Sequence, residues 1–394
     1  MSIVIFGDLF SFPEGHAATN RVHTYAKGFK ENGINVYIIC FSSTYTDNEN
    51  GDIEGIKYYH PFHEKERSKY FVIRNWKKLK KYFTTYYLFK KINKEDKISA
   101  INSWTNLLST HLFAWLLCKR WGAKLITEAS EHPFRFYQHG IWKKMIGKVK
   151  FNIESRSCDG ILCISRYLIN FYKAHGVPEM KLLQVPSTVD PSRFVQNATK
   201  PVSEKYIGYF GSLSFKRDNV DLLINAFANF NNLFPETNLI LGGFCTQYSK
   251  NEILNLIDKL NIRSKVRVLD FLTRQEIVKY VTNADVLVMT RSKDLKAEAS
   301  YPSKLTEFLA TGKPVISVKV GEVSDFLTDK ENVFLIEPGD VKGLSDKLEC
   351  VYNNYEYARQ VGQKGRELTE GVFHYNYQAK RIISFINSLK EDDS

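Results

Sequence analysis

The chain has 394 residues, more than a single hydrophobic core usually serves, so two domains are the first expectation. Hydrophobic residues make up 43% and charged residues 25%, the balance of a soluble globular protein rather than a disordered or fibrous one. The formal charge of +12 admits acidic partners, but neither zinc-finger spacing nor an RNP signature accompanies it, which argues against nucleic acid as one of them.

Residues 3–6 read as a buried strand, entered without a basic n-region, so no secretory signal is expected. Pro13 and Gly15 punctuate the loop that follows. A helix is then expected from Ala17, with Ala18, Val22, Tyr25, Ala26 and Phe29 on one face, and Gly33 stops it before a strand at 35–40. Between Lys65 and Lys97, twelve Lys/Arg stand against three acidic residues, with eight aromatics interleaved. A second basic patch, IWKKMIGKVK, covers 141–150. Cations mixed with Trp, Tyr and Phe suit an anionic membrane surface, although a solvated helical face gives the same pattern. The longest uncharged stretch, 99–118, holds eight polar residues including His111 and does not read as a membrane span.

Further strands are expected at 100–102, 124–127 and 160–164, with helices at 107–121 and 167–175 between and after them. Such βαβα alternation gives a parallel sheet covered on both faces. Three prolines (Pro186, Pro191, Pro201) interrupt it, so 1–190 reads as one domain and 191–204 as a linker. A second series follows over 205–374, with strands at 206–210, 238–241, 266–269, 285–289 and 314–318. Helices are expected at 220–234, 251–260, 274–282 and 304–311. Residues 375–394 carry a terminal amphipathic helix, expected to pack back toward the first domain. Six scattered cysteines without metal spacing suit a reducing cytosol, so a cytoplasmic protein, peripheral on the inner face of the membrane, is expected.

The strongest chemical signal is YPSKLTEFLATGKPV at 301–315. Pro302 and Ser303 open a helix, Leu305, Phe308 and Leu309 give it an apolar face, and Gly312 closes it. Free amides at its start, including those of Lys304 and Leu305, form a ready site for a diphosphate. Glu307 lies one turn in from Ser303, where a carboxylate can accept two hydrogen bonds from vicinal hydroxyls such as those of a ribose. A plain surface helix with a solvated Glu fits the spacing as well.

The same phrase resembles the C-terminal signature of retaining GT-B glycosyltransferases of family four, also described as glycosyl transferases group 1. FPEGHAATNRVHTYAKGF resembles that family's N-terminal glycine-rich loop and helix. DGILCISRYLINFY with VPSTVDPSRF, and YIGYFGSLSFKRDNVDLLINAF, resemble further segments in the expected order. The resemblance covers nearly the whole chain. It implies an α/β GT-B fold, two Rossmann-like doubly wound parallel-sheet domains facing a central cleft. It also implies a UDP- or GDP-sugar donor, no cofactor and no metal.

Carried over residue by residue, the resemblance assigns Gly15 to the acceptor and donor phosphate. Gly211, Ser303, Lys304, Leu305 and Glu307 become donor contacts; Arg291 is expected to join them from its place just past the strand ending at Met289, not from the resemblance. The family's lysine falls on Arg217, with Lys216 beside it. Glu131 and His132, after the strand at 124–127, fall where the family places a polar residue near the reacting carbon; Glu128 precedes them. The family's first acidic residue, eight before the match to Glu307, falls on Ala299, and Glu298 sits one residue earlier. Ser212 stands where an arginine is usual.

The expected activity is retaining, metal-independent transfer to a glycan or lipid-linked oligosaccharide in cell-surface polysaccharide assembly. A nucleotide-sugar 2-epimerase of the same fold, or a catalytically weak glycan- or membrane-binding partner, are the alternatives.

Overall fold

The computed structural model describes residues 1–42, 50–61, 69–134, 140–195 and 201–389. Lys65 and Arg67 of the basic segment, 196–200 of the expected linker and the acidic tail lie outside the described residues. The chain divides into two compact units, Met1–Thr188 with Tyr375–Ser394, and Val189–His374.

The first unit runs β1 (Ser2–Gly7), α1 (Ala17–Glu31), β2 (Asn35–Cys40), β3 (Asn50–Ile53), β4 (Ile56–Tyr59), α2 (Phe71–Glu95) and β5 (Ile98–Trp104). It continues through α3 (Leu108–Trp121), β6 (Lys124–Ala129), α4 (Ile141–Ser157), β7 (Gly160–Cys163), α5 (Arg166–Ala174) and β8 (Leu182–Gln184). The eight strands lie in the order β3-β4-β2-β1-β5-β6-β7-β8. All neighbours are parallel except β3 and β4, which form an antiparallel hairpin at one edge, a departure from the purely parallel expectation. Central strands such as β1 are buried along their whole length, as a sheet covered on both faces requires.

The second unit runs β9 (Tyr206–Phe210), α6 (Phe215–Asp218), α7 (Val220–Asn231), β10 (Asn238–Gly242), α8 (Gln247–Lys259), β11 (Val266–Leu269) and α9 (Arg274–Asn283). Then follow β12 (Val286–Met289), α10 (Leu295–Glu298), α11 (Ser303–Ala310), β13 (Val315–Val318), α12 (Val323–Phe326), β14 (Phe334–Ile336), α13 (Val341–Asn353) and α14 (Tyr355–Glu370). Its six parallel strands lie in the order β11-β10-β9-β12-β13-β14, the doubly wound arrangement of a dinucleotide-binding sheet. Residues 191–194, read above as the start of a linker, form a 3-10 turn inside this unit, capped by the Asp190 side chain.

The last helix, α15 (Tyr375–Ser388), belongs to the first unit and lies along α1. Ala379, Ile382, Phe385 and Ile386 complete the core around Val22, Tyr25 and Phe29. The approach is close because Gly28 has no side chain: a Cβ there would stand 2.5 Å from that of Ala379. Tyr375 donates to Glu31 at 2.7 Å and Arg381 to the Gln184 carbonyl at 3.0 Å, fixing the helix at its start and its middle.

Candidate functional site

In doubly wound sheets, ligands sit beyond the carboxyl ends of the strands where the winding reverses. In the second unit that point lies between β9 and β12. Gly211 follows β9, and Thr290 and Arg291 follow β12. The one-turn helix α6, capped by the Ser214 side chain, carries Lys216 and Arg217 there, both exposed. The Arg217 carbonyl accepts from both the amide and the hydroxyl of Ser292 (3.1 and 2.9 Å), and the Asp218 carbonyl accepts from Thr290 Oγ1 at 2.6 Å. The two loops are thereby tied together.

Lys304, in the first turn of α11, reaches back across this point. Its Nζ donates to the Tyr209 hydroxyl at 2.6 Å and stands 3.7 Å from Asp218 Oδ1. Gly211 makes room for it, since a Cβ there would come 2.8 Å from the amine. Burial, then the nearby Arg291 and Arg217, press the Lys304 ammonium down to about 8, while Asp218 pulls the other way. Burial and the adjacent Arg217 likewise lower Arg291, whose Nη2 donates to Ser300 Oγ at 3.0 Å. Burial raises the Tyr209 phenol, so it stays protonated. Three cations thus gather around one buried carboxylate, an arrangement that attracts a polyanion.

The carboxylate and the phenol are residues that sequence reasoning missed. Asp218 directly follows Arg217 and Tyr209 lies two residues before Gly211, so the segment pointed to both, but nothing in its spacing separates their roles from packing.

Ser303 and Lys304 occupy the first turn of α11, whose amides have no acceptor within the helix. Leu305 is a correction: its side chain is fully buried and its N–H donates to the Pro302 carbonyl at 3.0 Å, so it offers nothing to a ligand. Glu307 is half-buried, and burial raises its carboxyl against the pull of Arg193 and Arg274. Those two arginines come from the 3-10 turn and from the start of α9, too far apart in sequence for any motif to join them to Glu307. Ala299 is fully buried, so no side chain acts from that position, and Glu298 is half-buried at the end of α10.

In the first unit the winding reverses between β1 and β5. A small polar pocket opens there, lined among others by Leu9, Thr105, Asn106, Glu131, His132 and, from α4, Lys150 and Glu154. Lys150 pairs with Glu154 at 2.7 Å. Asp8 faces Lys150 and Lys81, and burial raises the carboxyls of both Asp8 and Glu154. One oxygen of each, Asp8 Oδ1 and Glu154 Oε1, is fully buried without a hydrogen-bond partner, which is costly for a charged carboxylate and agrees with the direction of both shifts.

His132 and Glu131 reach this pocket, but His132 is largely held by packing. Its ring meets Phe171 edge-on at 4.7 Å, and its Nδ1 accepts from the Phe134 amide at 3.1 Å, leaving the proton on Nε2. Burial and His175 lower its pKa, so the ring is neutral. Glu128 belongs to β6 itself rather than to the loop after it, and is consumed by a buried ion pair with Arg21 at 2.9 Å. Gly15 is exposed, but a Cβ there would stand 2.2 Å from Thr19 Oγ1 and 2.4 Å from Ser11 Oγ; Thr19 Oγ1 donates to the Ser11 carbonyl at 2.7 Å, so the glycine allows the loop to fold against the start of α1.

Among known proteins, the family description "Glycosyltransferase Family 4" matches residues 18–193, and "Glycosyl transferases group 1" matches residues 192–368. An N-acetyl-alpha-D-glucosaminyl L-malate synthase of Bacillus anthracis is 23% identical over 256 residues, 62% of each chain. The chain spans less than two thirds of the length of the curated relatives it matches. Sucrose-phosphate synthase from Thermosynechococcus elongatus superposes with a TM-score of 0.71 at 16% identity, over 98% of both chains. Anabaena HepE, solved in complex with UDP and glucose, gives 0.72 at 15%, over 99% of this chain and 100% of that one. At such identities the likeness is one of fold, and the fold is GT-B.

Proposed function

The chain belongs to the group 1 glycosyltransferases, and we propose that it moves a sugar from a nucleoside-diphosphate donor to a glycan or lipid-linked hydroxyl. In this reading the anomeric configuration is retained and no metal is needed. The observation that carries the proposal is the cluster of Arg217, Arg291 and Lys304 around Asp218 at the switch point of the second unit.

When the glycosyl–phosphate C–O bond breaks, the leaving diphosphate gains negative charge. Fixed cations and free amides aimed at that charge stabilise it more than they stabilise the ground state. Arg217, Arg291, Lys304 and the first amides of α11 take this role, with Lys216 at the outer edge. Glu307, steadied by Arg193 and Arg274, accepts from ribose hydroxyls. A leaving phosphate oxygen takes the acceptor proton as the acceptor oxygen bonds to the anomeric carbon on the same face. Glu131, His132 and Glu154, which line the polar pocket of the first unit, hold the acceptor. Glu298, not Ala299, supplies the acid near the transferred sugar. The HepE complexes with UDP and UDP-glucose make a UDP-sugar the first donor to try, with GDP-sugars second. A lipid-linked acceptor places the work at a membrane surface, in the assembly of cell-surface polysaccharide.

The test is turnover of UDP- and GDP-sugars in excess EDTA, with the product anomer read by NMR. Transfer with retention supports the reading. A strict magnesium or manganese requirement, or an inverted anomer, overturns its mechanism. Release of an epimerised sugar points to a 2-epimerase, and binding without turnover to a non-catalytic partner.

A further inference from the structure

Helix α4 begins with nine residues of which only Gly147 is buried. Ile141, Trp142, Met145, Ile146 and Val149 are exposed by 73, 74, 53, 58 and 57%. At roughly 100° per residue they fall within a single arc of about 140°, and Lys143, Lys144 and Lys148 lie outside it. A helix on a globular domain normally turns such an arc toward the core. This one turns it outward.

Helix α2, in the same unit, does likewise. Val72, Trp76, Leu79 and Phe83 are exposed by 77, 68, 57 and 67%, interleaved with exposed Lys78 and Lys80 and the half-buried Lys77. Its opposite side, with Thr85, Phe89 and Ile92, is buried. Lys81 belongs to that inner side: its amine donates to the Phe41 carbonyl and sits over the Phe41 ring, so it is no part of the outer cationic face. No acidic residue occurs from 69 to 94 or from 141 to 153.

Two exposed apolar helix faces, each interleaved with lysines and free of acidic residues along these stretches, fit one kind of partner best, a bilayer with anionic headgroups. A second copy of the chain would bring like charge against like charge. The same α4 that carries the apolar arc continues into Lys150 and Glu154, which line the polar pocket of the first unit. We propose that the first half of α4, with the outer face of α2, seats this unit in an anionic membrane surface. A lipid-borne acceptor then meets the pocket along the same helix; this last step alone rests on the transferase reading.

Sedimentation with vesicles tests it. Wild-type protein should pellet with phosphatidylglycerol–phosphatidylcholine vesicles and remain in the supernatant with phosphatidylcholine alone. Trp142→Glu with Met145→Glu should lower binding by roughly tenfold or more, even at low salt. Ile146→Ser with Val149→Ser, a milder pair, should weaken it several-fold and decides the matter if the first variant does not fold. Both should keep wild-type circular dichroism and wild-type turnover of a short soluble acceptor. Folded variants that pellet like wild type overturn the proposal, as does a wild type that ignores anionic vesicles. So does a wild-type dimer that the glutamate variant converts to monomer without any vesicle binding. Vesicle binding in the absence of turnover with any nucleotide-sugar upholds the membrane surface and sinks the transferase reading instead.

Discussion

Each unit buries a carboxylate beside a cation, and the two pairs are built differently. In the first unit Arg21 meets Glu128 at 2.9 Å, with side chains only 5% and 1% exposed. Both terminal guanidinium nitrogens also donate, to the Pro186 and Val185 carbonyls at 2.6 and 2.7 Å. In the second unit Lys304 stands 3.7 Å from Asp218, exposed by 20% and 8%, with Arg217 and Arg291 close enough to depress it. The first pair is closed, each charge answered within the protein. The second holds more cation than its carboxylate can answer, and that surplus is what a diphosphate would meet. A buried ion pair therefore marks structure or site according to what is left unbalanced around it.

The sharpest way to break this comparison is to remove one member of the closed pair. Glu128→Gln leaves Arg21 charged and buried, which costs ~3–5 kcal/mol where such a pair is severed. Urea unfolding should show that loss, with nucleotide affinity of the surviving folded protein unchanged. A stable variant with altered nucleotide binding would erase the distinction between the pairs. Lys304→Ala should do the opposite. Stability should hold nearly constant, while kcat/KM falls by about 100- to 1,000-fold, the usual effect of losing one preorganised donor to developing charge. Circular dichroism melts beside steady-state rates check both halves.

Much of this architecture was legible because apolar runs and helical spacing carry it. The strand at 35–40 and the one at 266–269 agree with the structure to the residue, whereas the three-residue β14 at the edge of the second sheet was not among the expected strands. The β3–β4 hairpin was not legible. Its strands are four residues each, and Glu54 and Gly55 both take positive φ at the turn, where Asn-Gly or Asp-Gly would have signalled a hairpin. Lys81 looked like its neighbours in the basic run, yet helical geometry turns it inward onto Phe41. The segment at 141–150 was legible as a basic patch, but that its apolar residues share one outward arc of α4 is seen only in the structure, since such a stripe ordinarily faces a core. Composition also could not show that Arg193 and Arg274 attend Glu307, since tertiary folding alone joins them.

Glu307 offers a smaller probe of the same unit. Its carboxylate has cations on the protein side, so Glu307→Gln should spare the fold and weaken nucleotide binding. Loss of a charged hydrogen bond typically costs ~1.5–3 kcal/mol, or about ten- to a hundredfold in affinity by calorimetry. Unchanged affinity would remove Glu307 from the donor site and leave it as a partner of the two arginines.

The finest test uses pH. Burial first, and the two arginines after it, bring the Lys304 ammonium down to about 8, whereas in the unfolded chain it titrates near 10.5. Below about 8 the folded protein holds the charge that a diphosphate needs, so affinity should be flat there. As pH rises through that value, affinity should fall, at most about tenfold per pH unit. Stability should move the other way over the same window: the unfolded chain binds the extra proton between the two values, so unfolding becomes harder as pH rises. Asp218 is the group that resists the depression. Asp218→Asn, nearly isosteric, should shift the fall in affinity to lower pH and weaken neutral-pH binding by roughly three- to tenfold, a modest effect for a pair not fully buried. Calorimetric titrations of UDP across this range, wild type beside variant, give the midpoint directly. A midpoint that Asp218→Asn leaves in place would show that the carboxylate does not govern Lys304, and the open pair would then be no pair at all.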